Sequence, residues 1–144
     1  MALDMAKYQK LFLEESADHL AEISRALLEL EKDAASVESI DVIFRMAHSI
    51  KSMAASLGFD SVTEISHRLE DRMQEIRARG HLADGTELSL LFRGLEGLEQ
   101  MVTTIRDSGE APAADPDLLH ALTQPTQASG APPDEADAKK KALS

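Results

Sequence analysis

Four apolar stripes, each repeating at intervals of three and four residues, restrict this chain more than any other feature. From Asp4 to about Lys32 the stripe is Leu11, Phe12, Leu20, Ile23, Leu27, Leu28 and Leu30. A second begins near Val37 or Ser39, runs through Ile40, Ile43, Ala47, Ile50, Ala54 and Leu57, and stops at Gly58. The third is Val62, Ile65, Leu69, Met73 and Ile76, ended by Gly80. The fourth, from about Thr86 to Ser108, is Leu88, Leu91, Phe92, Leu95, Leu98, Met101, Val102 and Ile105. This spacing lines apolar side chains along one face of an α-helix, whereas a half-buried strand alternates every second residue. The connectors are short, so successive helices must run antiparallel. The expected fold is all-α, an up-down-up-down four-helix bundle with a short fifth helix over Asp117–Leu122 at its C-terminal end.

Local signals fit this plan. Glu14, Glu15, Asp18, Glu22, Glu29 and Glu31 fall mostly on the wet side of the first helix, and His19 reads as surface or boundary packing. Asp60 or Ser61 can cap the third helix, with Glu64 completing a capping box if the cap is Ser61. Gly94 and Gly97 each cost the fourth helix about 1 kcal/mol relative to alanine, and are compatible with close helix packing. From Gln124 the composition turns to Pro, Ala, Gln, Ser, Gly and charge, with too little apolar surface to offset the entropy of ordering. The expected division is a bundle over residues 1–123 and a flexible linker or tail over residues 124–144. Lys139, Lys140 and Lys141 read as a solvated part of that tail.

Composition removes several function classes. A net charge of −11 disfavours nucleic acid and anionic membranes as partners. No apolar run is long enough to span a membrane, and the N-terminus has no signal-peptide pattern. There is no cysteine for a disulfide or a thiolate metal site. None of the seven glycines forms a G-x-x-x-x-G-K phosphate loop, so the chain has no recognisable nucleotide site of its own. The expected setting is the cytoplasm.

The chemistry concentrates on the second helix. His48 lies roughly 120° from the centre of the apolar stripe, with Lys51 one turn further on. Around it stand only small side chains, Ser49, Ser52, Ala55 and Ser56, which leave room for close approach by another protein. A neutral imidazole nitrogen is a nucleophile near neutral pH, and an ammonium beside it can offset the charge of a transferring phosphoryl group. The plain alternative is a polar surface histidine. On the third helix His67 and Glu70 lie three residues apart, off that helix's stripe. If the helices pack antiparallel, the flank carrying them can meet the flank carrying His48. A carboxylate accepting one ring N–H would fix the tautomer and make the other nitrogen more nucleophilic. Glu70 is otherwise an ordinary exposed glutamate pairing with a Lys or Arg one turn away, and His67 a polar neighbour without a chemical role.

Ala47-His48-Ser49-Ile50-Lys51, followed by Leu57-Gly58-Phe59 and His67-Arg68-Leu69-Glu70, resembles the histidine phosphotransfer (HPt) domain at the N-terminus of CheA-type chemotaxis kinases. The likeness covers roughly residues 4 to 123. It implies that His48 is phosphorylated on a ring nitrogen by an ATP-binding histidine kinase domain, in cis or in trans. It implies that the phosphoryl group then passes to an aspartate of a CheY-like response regulator receiver domain. It also implies that Glu70 orients His48, that Lys51 assists the phosphoryl group and that His67 neighbours the site. On this reading the chain holds no cofactor: ATP and Mg²⁺ belong to the kinase domain, and Mg²⁺ to the regulator. The chain itself is then the substrate domain of such a kinase, a monomer in isolation, with Ser49, Ser52, Ala55 and Ser56 forming the docking patch. One departure is Ser52, where the family usually has glycine. Two other readings stand beside this one: a metal site in a helical bundle, built from His48, His67, Glu70 and a further carboxylate, and a plain protein-interaction module.

Overall fold

The computed structural model describes residues 2–124. The expected tail beyond Gln124, with its lysine run, lies outside the described residues. Within them the elements are α1 (Ala2–Lys32), α2 (Val37–Leu57), α3 (Asp60–Arg79), α4 (Gly85–Ser108) and α5 (Pro116–Thr123). Each long helix packs on its two neighbours around a ring, α1 on α2, α2 on α3, α3 on α4 and α4 on α1, while α5 lies against α3 and α4. This is the expected antiparallel bundle with a short fifth helix.

The stripes meet along the axis. Ile40, Ile43, Ala47, Ile50 and Ala54 of α2, and Val62, Ile65, Leu69, Met73 and Ile76 of α3, are all buried. On α1 the sequence pattern overcounts. Leu11 and Leu28 are 47% and 50% exposed, because Phe12 and Leu27 beside them occupy the inward positions about 100° away. Ser16 and Ala26 complete the buried face instead.

The turns are built from local chemistry. Ser36 caps α2 by accepting from the Ser39 N–H, and Asp84 caps α4 by accepting from the Glu87 N–H. The α1–α2 and α3–α4 connectors are tied together at one end of the bundle by a hydrogen bond from the Leu82 N–H to the Ala34 carbonyl. At the other end only Gly58 and Phe59 join α2 to α3. Gly58 is left-handed at φ 78°, and the Phe59 N–H donates back to the Ala54 carbonyl at 2.9 Å. That wrap-around displaces the side-chain cap expected from Asp60 or Ser61. The N-cap is Phe59, with no side-chain hydrogen bond, and its ring sits 5.2 Å from that of Phe12. A hydrophobic anchor thus takes the place of a capping box at this joint.

Gly94 and Gly97 receive α5. A Cβ at Gly97 would meet Leu118 Cδ2 at 2.6 Å, and one at Gly94 would lie 3.5 Å from Leu69 and 3.9 Å from Leu122. Burying Leu118 and Leu122 stabilises by roughly 1.5–3 kcal/mol each, enough to offset the lost helix propensity.

Candidate functional site

The two-residue joint decides which residues face each other across α2 and α3. His48 and Glu70 are 22 residues apart with Phe59 midway, so two antiparallel helices folded at that point bring them to the same height. His48 Nδ1 lies 2.6 Å from Glu70 Oε2, and Lys51 Nζ donates to Glu70 Oε1 at 2.5 Å. One carboxylate therefore holds both the imidazole and the ammonium that the sequence places one turn apart on α2.

Burial differs sharply across these groups. The His48 side chain is 56% exposed and that of Lys51 26%. Glu70 as a residue is only 8% exposed, in contrast to the mostly solvent-facing flank that its helical angle suggests. The small residues Ala47 and Ala54 on α2 and Ser66 on α3, all buried, let the two backbones approach, and the flank between them closes over the carboxylate. Burial by itself pushes the Glu70 carboxyl up. The hydrogen bonds from Lys51 and His48, with the charges behind them, outweigh that and hold it below its ordinary value. Glu70 is therefore ionised near neutrality and has no proton to donate, so the hydrogen in the 2.6 Å contact belongs to His48 Nδ1. In the neutral ring the lone pair then resides on Nε2, which has no hydrogen-bond partner among the described residues.

His67 is turned elsewhere. It is exposed on α3, with Nε2 3.5 Å from Asp71 Oδ2 one turn on, and makes no hydrogen bond to His48 or Glu70. The residues expected to surround the imidazole are arranged as their angles suggest: Ser52, Ala55 and Ser56 are exposed, and Ser49 is half-buried. Ser56 Oγ donates to the Ser52 carbonyl, so this hydroxyl is folded back on its own helix.

Two groups of residues escaped the sequence reading. Met5, Tyr8 and Leu11 of α1 are about half exposed and line an apolar groove with Phe12, Met53, Ser56 and Leu57, running on from the small-residue patch. Met5 and Tyr8 carried a signal as apolar residues outside the expected α1 stripe, whereas Leu11 was counted in that stripe and lies half exposed. The second group is Arg72, Arg79 and Glu87, an ionic cluster on the far side of α3. Nothing in the local pattern marks it, because its members come together only when α4 packs against α3. No three His, Asp or Glu side chains among the described residues are placed to hold a metal ion, which weighs against the metal-site reading.

With this geometry in hand, comparison with known proteins is decisive: residues 7–124 match the family model described as "Hpt domain". The chain belongs to the Hpt domain family. It is 36% identical over 108 residues to the chemotaxis protein CheA of Bacillus subtilis and 31% identical over 106 residues to that of Halobacterium salinarum. These alignments cover 75% and 74% of this chain but only 16% of either relative, so this Hpt chain spans a small part of their length. In fold it is similar to the phosphorylated P1 domain of CheA3, solved in complex with CheY6 from R. sphaeroides. The TM-score is 0.71 at 22% identity, covering 81% of this chain and 92% of that one. No helix among the described residues is long and apolar enough to cross a membrane.

Proposed function

We propose that this Hpt domain is a phosphoacceptor and relay in a chemotaxis-type signalling kinase, with Nε2 of His48 as the reacting atom. The observation that carries this reading is the double use of Glu70. By accepting the Nδ1–H hydrogen bond with one oxygen, and that of Lys51 with the other, it leaves the lone pair on Nε2, on an open helix face among small residues.

In the forward step the Nε2 lone pair attacks the γ-phosphorus of ATP held by a kinase domain, the N–P bond forms, and the bond to the bridging oxygen breaks to release ADP. No proton has to leave Nε2. The ring becomes cationic with its hydrogen still on Nδ1, and the ionised Glu70 offsets that charge. In the relay step a carboxylate oxygen of a response regulator aspartate attacks phosphorus, the N–P bond breaks, and its electron pair returns to Nε2. Lys51, tied to the other Glu70 oxygen, keeps the carboxylate in place and adds positive charge beside the phosphoryl group. His67 has no step in this scheme. ATP and Mg²⁺ belong to the kinase domain, and Mg²⁺ also to the regulator. The domain acts in the cytoplasm as a monomer.

The regulator docks over Ser49, Ser52, Ala55 and Ser56. The apolar groove of Met5, Tyr8, Leu11, Met53 and Leu57 beside them supplies the contacts that bind, so the α1 side of the patch matters more than α3. The test is to incubate the chain with an ATP-loaded kinase domain and, separately, with phosphoramidate, a small phosphoryl donor. His48→Gln should retain the helical circular dichroism of the wild type and lose all acid-labile, base-stable phosphate. Labelling of that variant at His67 would overturn the assignment.

A further inference from the structure

The described helices α2, α3 and α4 each end in a left-handed glycine, Gly58, Gly80 and Gly109, whose N–H closes onto the last turn. α5 does not. Its C-cap is Gln124 in an extended conformation (φ −69°, ψ 142°). An eight-residue helix is too short to hold itself together in water, so its formation depends on what it docks against. That anchorage is a side chain from α3. Arg72, 5% exposed, donates through Nη2 to the Leu122 carbonyl at 3.0 Å and to the Gln124 carbonyl, and reaches the Ala121 carbonyl at 3.4 Å.

Charge explains the direction of this contact. Glu87 is paired with Arg72 at 3.7 Å and with Arg79, and it also accepts from the Ala83 N–H. Arg72 brings its guanidinium charge to this end of the short helix. It faces the last carbonyls of α5, the negative end of that helix's dipole. Two apolar contacts complete the attachment: Leu118 over Gly97 and Leu122 over Gly94.

We infer that α5 is a releasable strap, clasped by Arg72, that sets where the chain leaves the bundle. With the clasp closed, α5 lies against α3 and α4. With it open, the chain leaves the bundle after Gly109, and the segment from residue 110 to 124 is freed. At about 3.3–3.6 Å per residue that segment can extend to roughly 50 Å. This inference does not depend on the phosphotransfer reading, because Arg72 and α5 lie on the side of α3 away from Glu70 and α2.

The experiment is amide hydrogen exchange on the full chain, read residue by residue. Arg72→Met keeps bulk and removes the charge, while Glu87 keeps Arg79 and the Ala83 N–H. Gly97→Leu dislodges α5 from its other contact, at Leu118, and strengthens α4 intrinsically. In both variants the amides of Leu119–Thr123 should exchange at least about tenfold faster, while core amides such as those of Ile50 and Leu69 keep their protection. Phosphate uptake by His48 from phosphoramidate should stay within about twofold, since nothing at the site is touched. Unchanged exchange across α5 in both variants would remove Arg72 as the clasp. Loss of protection in α5 together with α1–α4 would show α5 to be an integral part of the core, and the strap would be wrong.

Discussion

Helix α3 carries two ionic clusters on opposite sides, and they are built for different ends. Toward α2, Glu70 holds His48 and Lys51, and the cluster opens to solvent through an imidazole that is more than half exposed. Toward α4 and α5, Glu87 holds Arg72 and Arg79, and here the Arg72 and Glu87 side chains are only 5% and 2% exposed. Each cluster centres on one carboxylate serving two side chains, an imidazole and an ammonium in the first and two guanidinium groups in the second. The difference lies in what the members of each cluster face. At the first the imidazole faces the open surface of α2, where the proposed phosphoryl transfer would take place; at the second Arg72 faces the carbonyls of α5. On the proposed function, the shared motif gives chemistry where one member is more than half exposed and structure where the members are mostly buried.

The sharpest way to break the comparison is at the carboxylates. Glu87→Gln removes the carboxylate that pairs with both Arg72 and Arg79, the former buried. It should destabilise the bundle by about 3 kcal/mol, a fall in thermal midpoint of roughly 10 °C, with His48 phosphorylation unchanged below the transition. The midpoint follows from circular dichroism and the phosphorylation from the phosphoramidate reaction. A loss of phosphorylation at full folding would mean the clusters are coupled through α3.

Glu70→Gln should show the reverse profile. The amide oxygen can still accept from Nδ1, but the charge that offsets the cationic ring is gone. Phosphorylation should slow by about 10–100-fold, the range in which loss of an orienting carboxylate falls. Folding should weaken by only about 1–2 kcal/mol, because Lys51 can turn to water. A wild-type rate in this variant would remove the orienting role.

Acid separates the clusters further. Because the folded state holds the Glu70 carboxyl below its ordinary value, its contribution is fully present above the usual carboxylate range and is lost as pH falls through the lowered value. Denaturation midpoints followed from neutrality downward should therefore stay level, as far as Glu70 is concerned, until pH approaches the ordinary glutamate value of 4.5, and fall from there through the lowered value. That component should be missing in Glu70→Gln. A component appearing between neutrality and that range would assign the titration to another group.

The smallest expected effect is at Ser52. Ser52→Gly should leave His48 phosphorylation from phosphoramidate within about twofold, because the Ser52 side chain bonds neither Glu70 nor Lys51. Ser52→Arg should also accept phosphate normally, yet transfer it poorly to a receiver domain. Normal transfer from that variant would move the docking surface off this patch.

The order of the helices, the glycine stops at Gly58 and Gly80 and, given antiparallel packing, the meeting of the His48 and Glu70 flanks were legible in the sequence. Each depends on periodicity and on residue counts about the Gly58–Phe59 joint, which are local quantities. Periodicity reports the angle of a side chain about its own helix; it does not report how near the next helix comes. For that reason Glu70 was expected on an open flank and lies buried, and Leu11 and Leu28 were expected inside and lie half exposed. The cap of α3 passed from a hydroxyl or carboxylate to the Phe59–Phe12 contact for the same reason, since Phe12 is 47 residues away in the chain. The Arg72 clasp is the extreme case. Arg72, Glu87 and the end of α5 carry no common local signal, and only the packing of α4 and α5 against α3 excludes the water that would otherwise separate their charges.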